Sequence, residues 1–390
     1  MGVTVLAPDL ADRIAAADRA LGEGRLAEAR SILEDAARRD PQAPDFWQRL
    51  ATVRKMGGAP LLAIEAIDRA LALAPLDFVN LLMRAHLLDS ANHPEAGEAY
   101  GRALAQPRPD PLPPMFQRII AHGQAMWAAH QQSITTRLGE AVEASGADLT
   151  PAERTRAERF ASNIARTTRP YHSEPTHFAW PGLREAEFHH RTGFPWLAEL
   201  ESLTPTIRAE MNAVANAPDA ALVPYVKYAD SEPLAQWREL NHNRDWTAIH
   251  LIERGVTVAA NAAHCPETTG FLARMEQPQI AGCAANAMFS LLAPRTHIPP
   301  HVGVANFRLL CHLPLIVPDR CWFRVGADTR DFAEGQAWVF DDTIEHEAKN
   351  ETDRLRVIFI FDIWHPDLSP AERAAIQAAV SAAAMPVGAL

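Results

Sequence analysis

The sequence predicts a multidomain α + β chain: helical repeats, then linker helices, then a domain of short β-strands. Three observations carry this. Ala29, Ala63 and Ala96 recur at spacings of 34 and 33, as do Ala36, Ala70 and Ala103. A stiff proline-rich break runs over 107–114. From Asn286 to Leu368, short apolar runs end repeatedly at Pro, Gly, Asp or Asn, as strands do.

The first region, 1–105, is organised by the recurrence. Small residues at a 34-residue period let paired helices approach, and Pro41 and Pro75, also 34 apart, stop the second helix of each pair. The pattern resembles tetratricopeptide repeats. Stacked helix pairs form a groove suited to a peptide; a purely stabilising or dimerising role is the other reading. The second region, 106–175, holds the Pro-rich break, one or two amphipathic helices over 115–145, and a helix opened by Thr150-Pro151-Ala152-Glu153, which has the form of a capping box. In the third, 176–390, the spacing of Leu197, Leu200, Leu203, Ile207 and Met211 predicts a helix over 197–217. Trp246 to Glu253 reads as a strand, Thr268 as the cap of a following helix, and Ser369-Pro370-Ala371-Glu372 as the start of a terminal helix.

Composition narrows the function. A net charge of −11 argues against nucleic acid and anionic membranes as partners. Four cysteines without a C-x-x-C argue against a structural zinc site or a disulfide framework. Residues 1–13 do not read as a signal peptide, and no run approaches the ~18 apolar residues of a membrane span, so the expected location is cytoplasmic.

The chemistry lies in the strand region. At period 2, Phe307, Leu309, Cys311 and Leu313 share one face, and Asn306, Arg308, Leu310 and His312 the other. In the last run, Leu355, Val357, Phe359, Phe361 and Ile363 alternate with Arg356, Ile358, Ile360, Asp362 and Trp364. Charged groups among apolar neighbours need partners, and an anionic ligand would supply one. His301 and His346 flank these strands at turns, and two imidazoles with open positions suit non-haem iron. The carboxylate that usually completes such a site, two residues after the first His, is replaced here by Gly303.

These motifs together resemble the aspartyl/asparaginyl β-hydroxylases. The resemblance runs from about Trp180 to Ser369. Its sharpest parts are HVGVANFRLLCHLPL at 301–315, RVG at 324–326, EG at 334–335, FDDTIEHEA at 340–348 and FDIWHP at 361–366. It implies a double-stranded β-helix (jelly-roll) oxygenase that uses Fe(II), 2-oxoglutarate and O2. It implies that His301 and His346 hold the iron, and that Arg356, helped by Ser290, grips the far carboxylate of 2-oxoglutarate. Arg308 and His312 would contact co-substrate or substrate, and Trp246 would lie near the co-substrate. The implied substrate is Asp or Asn in a peptide or protein, with a free amino acid or a lipid as alternatives; a repeat scaffold with a degenerate barrel is the non-catalytic alternative. The family often has a second Arg two residues after Arg308, where this chain has Leu310.

Other readings of single residues stand beside these. Asp341 and Asp342 read as ligands or as acceptors for a histidine N–H, and Asp342 also as a turn cap. Arg356 is a clamp or a salt-bridge partner of Asp362 or Glu347, and His312 is a site residue or a satisfied core histidine. Arg324 and Arg330 read as substrate contacts or as pairing with Asp328 or Asp331, His297 as support for the site, His365 as structural, and His189 and His190 as surface.

Overall fold

The recurring alanines fall where helices meet. Six helices come in three consecutive pairs: α1 (Pro8–Gly22) and α2 (Leu26–Arg39), α3 (Pro44–Met56) and α4 (Pro60–Leu73), α5 (Phe78–Ser90) and α6 (Ala96–Leu104). All six alanines of the repeat are buried, and Pro41 and Pro75 follow just beyond the ends of α2 and α4. The computed structural model describes residues 8–383, apart from 110, 111, 113, 147, 230, 232, 233 and 281. The chain divides into two compact units, Met1–Thr168 and Arg169–Leu390.

The helices read as linkers lie inside the first unit. Residues 115–145 fall within one long helix, α7 (Pro114–Ser145), and α8 (Pro151–Ile164) opens with the expected reciprocal Thr150–Glu153 capping box. Helix α7 docks on α6 through glycines. A Cβ at Gly101 would sit 2.6 Å from the Trp127 ring, and one at Gly123 would sit 2.6 Å from Tyr100. Among the described residues, no helix is long and apolar enough to cross a membrane.

Among the described residues the second unit holds eleven strands: β1 (Leu222–Pro224), β2 (Trp246–Glu253), β3 (Val256–Thr257), β4 (Ala287–Leu292), β5 (His297–His301), β6 (Arg308–Ile316), β7 (Cys321–Val325), β8 (Asp328–Asp331), β9 (Trp338–Phe340), β10 (His346–Asn350) and β11 (Arg356–Trp364). They form two antiparallel sheets. The larger runs β1-β2-β4-β11-β6-β9, with β3 beside β2; the smaller runs β5-β10-β7-β8.

The alternation read from the sequence sets the faces. Leu309, Cys311, Leu313 and Leu315 pack with Val357, Phe359, Phe361 and Ile363 in a core shared with helices Leu197–Ser202, Thr204–Ala215 and Pro266–Leu272. Ile358 and Ile360 pack the other way, against Ile298, Phe323, Val325 and Ala348 of the small sheet. Each fully buried aliphatic or aromatic side chain here contributes about 1.5–3 kcal/mol. Phe307 leaves the pattern and joins a third cluster with Phe178 and Trp364.

Several expectations are corrected. The helix expected over 197–217 is two helices broken at Leu203, because Pro205 has no N–H to continue the ladder. His189 is buried, 8% exposed, its ring edge-on to His365 at 5.4 Å, whereas His190 is exposed as read. Thr268 does not cap the helix Pro266–Leu272. Glu210, from the helix Thr204–Ala215, accepts the N–H groups of Glu267 (2.8 Å) and Thr268 (2.9 Å) and the Thr268 hydroxyl (2.6 Å). A buried carboxylate thus satisfies the helix start from outside. Glu210→Ala orphans two amides and a hydroxyl and is expected to lower unfolding free energy by about 2–3 kcal/mol. Urea unfolding checks this, as a lower midpoint at unchanged slope.

Candidate active site

Antiparallel pairing of β5 with β10 sets His301 directly opposite His346. The rings lie 4.0 Å apart, centroid to centroid. Each Nδ1 faces a backbone carbonyl two residues back: His301 to Pro299 at 2.8 Å, His346 to Ile344 at 3.1 Å. A carbonyl only accepts, so each Nδ1 carries the proton and each Nε2 keeps its lone pair. Burial, reinforced by the neighbouring His346, holds His301 down to about 3; burial holds His346 down to about 4. Both imidazoles are therefore neutral, the form that ligates a metal.

Gly303 makes room for Asp342. A Cβ at 303 would lie 2.1 Å from Asp342 Oδ2, so the carboxylate occupies the space a side chain there would fill. The Gly303 N–H donates to the Asp342 carbonyl at 2.6 Å. Asp342 is buried and pairs with Arg308, Nη2 to Oδ2 at 3.1 Å, while its Oδ1 has no hydrogen-bond partner. Burial raises the Asp342 carboxyl against the pull of Arg308. Arg308, read as a contact for co-substrate or substrate, is thus already in an internal pair, with Asp362 as a further anion in its field. Among the described residues, no group of three or more His, Cys, Asp and Glu is arranged to hold a metal ion.

Arg356 behaves differently. It opens β11, is 2% exposed, and stacks over Phe332 at 4.9 Å. Among the described residues it has no salt bridge, so pairing with Asp362 or Glu347 is not observed, and its Nη1 lacks any partner. Burial pulls the guanidinium down to about 10. His312 is also buried, with Nδ1 unpartnered, its protonation opposed first by burial and then by Arg356. Ser290 accepts from Trp246 Nε1 at 3.0 Å. A buried cation without an anion is costly, and an incoming carboxylate would supply the missing partner.

A cavity of about 460 Å³ adjoins the pair. Its wall includes both histidines, Gly303, Arg308, Asp342 and Leu310; Arg356, His312 and Ser290 are not part of it, and Trp246 joins the two areas. Sequence reading missed Tyr225 and Trp237. Tyr225 stacks on Trp246 at 3.8 Å, and Trp237 meets His301 edge-on at 4.9 Å. The only signal was a run of aromatics over 225–246 without strand or helix periodicity.

The remaining candidates are held by partners within the protein. Arg330 pairs with Asp328 at 2.9 Å, as read. Arg324 is corrected: it pairs with Glu345 and Glu347, the residues on either side of His346, and not with Asp328 or Asp331. Glu347 also binds His297 at 2.8 Å. His365 accepts from the Asp367 N–H and lies 3.3 Å from the Arg184 carbonyl.

The depressed histidines give a pH dependence. Below about 6.5 the unfolded chain takes up protons that the folded pair refuses. Stability of the metal-free protein is therefore expected to fall as pH drops from 6.5 towards 4, by about 1.4 kcal/mol per pH unit for each histidine. Urea unfolding at pH 7, 6 and 5 checks this; the slope should shrink in His301→Gln.

A family model described as aspartyl/asparaginyl beta-hydroxylase matches residues 201–366. The chain is similar to aspartate beta-hydroxylase domain-containing protein 2 of Xenopus tropicalis, 32% identical over 212 residues, covering 53% of this chain and 55% of that protein. It is similar to the human aspartyl/asparaginyl beta-hydroxylase, 33% identical over 147 residues, covering 37% of this chain and 19% of that protein. It is similar to the ornithine lipid ester-linked acyl 2-hydroxylase of Rhizobium tropici, 35% identical over 182 residues, covering 46% of this chain and 60% of that protein. In each case the chain spans less than two thirds of the relative's length.

Proposed function

We propose, from the match of residues 201–366 to the aspartyl/asparaginyl beta-hydroxylase family model, that this chain is an Fe(II)- and 2-oxoglutarate-dependent dioxygenase that hydroxylates an unactivated carbon. The observation that carries the reading is the neutral pair His301–His346, each Nδ1 tied to a carbonyl. In this reading the two Nε2 atoms hold iron, and the two facing sheets are the double-stranded β-helix of the oxygenases. The far carboxylate of 2-oxoglutarate pairs with Arg356, whose guanidinium otherwise lacks an anion, with Ser290 and His312 as further polar contacts. Bound Fe(II), 2-oxoglutarate and O2 supply the oxidising chemistry. The protein fixes the tautomer of each ligand, neutralises the co-substrate and keeps the site dry behind Tyr225, Trp237 and Trp246.

The leading substrate is Asp or Asn in a peptide or protein, docked by the helical repeats. One observation favours a second substrate class, an acyl chain. Arg308 already has one anionic partner in Asp342, Leu310 stands where a second Arg is frequent, and Val302, Met288, Leu310 and Ile360 join the aromatics in the cavity wall. Such a wall accepts an uncharged chain more readily than another carboxylate.

Succinate release separates an enzyme from a non-catalytic scaffold. With Fe(II) and O2, the wild type is expected to consume 2-oxoglutarate slowly without substrate, and His346→Ala to abolish this. Absence of 2-oxoglutarate binding or turnover in the iron-loaded wild type would sink the enzyme reading. Arg356→Ala should raise the 2-oxoglutarate KM at least tenfold, equivalent to about 1.4 kcal/mol; an unchanged KM would show that the clamp lies elsewhere. Asp- and Asn-containing peptides and acyl lipids are then compared for stimulation of succinate release.

A further inference from the structure

Both histidines adjoin turns, and turns need support from outside. Residues 302–304 lead away from His301, and 341–345 lead into His346. One segment, 169–178, is bonded to both. Ser173 bridges Ile344, and its hydroxyl lies 2.6 Å from that of Thr343. The Glu174 N–H donates to the Thr343 carbonyl at 2.8 Å. Two residues on, the Thr176 N–H donates to the Gly303 carbonyl at 3.0 Å, and the His177 and Phe178 N–H groups reach the Val304 carbonyl at 3.1 and 2.9 Å.

Charge tightens the same junction. Arg169, at the head of the segment, binds Glu345 at 2.8 Å and lies over the Tyr171 ring at 4.5 Å. Arg324 reaches the Tyr171 hydroxyl at 3.4 Å while holding Glu345 and Glu347 on either side of His346. The segment lies outside the family-matched stretch, which begins at 201, and follows in sequence directly from the helical unit ending at Thr168. Thr176 and His177 also form part of the cavity wall.

We infer that residues 169–178 are a positioning strap that sets the separation of His301 and His346, so that metal affinity in this chain depends on a segment outside its hydroxylase domain. The inference rests on the two-histidine metal reading above. The strap touches neither imidazole; it acts through the turns that carry them. Groups that orient metal ligands typically change metal affinity roughly 10–100-fold when removed, and the strap fixes two ligands at once.

The test uses the full chain and Co(II) as the probe, titrated without oxygen and followed by visible absorption. Glu174→Pro deletes the N–H bonded to Thr343, and the pair Arg169→Ala with Ser173→Ala removes only side-chain contacts. The expected result is a Co(II) Kd at least tenfold weaker in Glu174→Pro and several-fold weaker in the double variant. The metal-free melting temperature should move by only a few degrees, and Ser173→Thr should behave as wild type. A Kd within twofold of wild type in both variants overturns the strap while leaving the metal site standing. Should Glu174→Pro lose its circular dichroism, the double variant decides alone. A wild type that takes up no Co(II) overturns the metal reading itself, and the strap with it.

Discussion

The register between β5 and β10 is the constraint on which the site depends. An antiparallel ladder brings opposite residues within about 4.5–5.5 Å of one another, and here the opposite residues are His301 and His346. Shifting one strand by a single residue would send one imidazole to the other face. The small sheet resists this on its far side, where β10 pairs with β7 over five consecutive positions from His346 to Asn350. Asn350 adds a lock at the end of the strand: its side chain donates to the carbonyls of Leu292, Ala293 and Arg354.

Around that register one buried arginine, Arg308, has an ion-pair partner and another, Arg356, has none among the described residues. Arg308 and Asp342 pair through one contact, with Arg308 Nη1 and Asp342 Oδ1 left without partners, and breaking such a pair costs more than the pair contributes, because the survivor is left charged and dry. Arg356 has no such partner among the described residues and is tolerated with an unmet N–H. Stored cost of this kind marks places where a ligand completes the structure.

The sequence made the chemistry more legible than the scaffolding. Alternation in 305–317 and 355–364 assigned the faces of β6 and β11 because both strands are long and sharply patterned. The repeat was visible because a small residue at a helix crossing has few substitutes. The strands carrying the histidines were not visible. His297–His301 contains Pro299 and Pro300 and lacks an apolar run, and His346–Asn350 is mostly polar, so neither bears a period. Glu210 and the 169–178 segment were missed, and Arg324 was given the wrong partners, for a shared reason: each acts on residues between 21 and 176 positions away, and no local pattern encodes a contact at that distance. Tyr225 and Trp237 lie in irregular chain, where neither period applies.

The contact between Gly303 and Asp342 reaches beyond the present sequence. Evolution or design that sought to install an acidic side chain at 303 would meet an occupied volume, since the carboxylate from the neighbouring turn already stands there. Evicting it would strand Arg308 in turn. The exchange is therefore a coordinated move of three positions, and a single substitution at 303 does not achieve it.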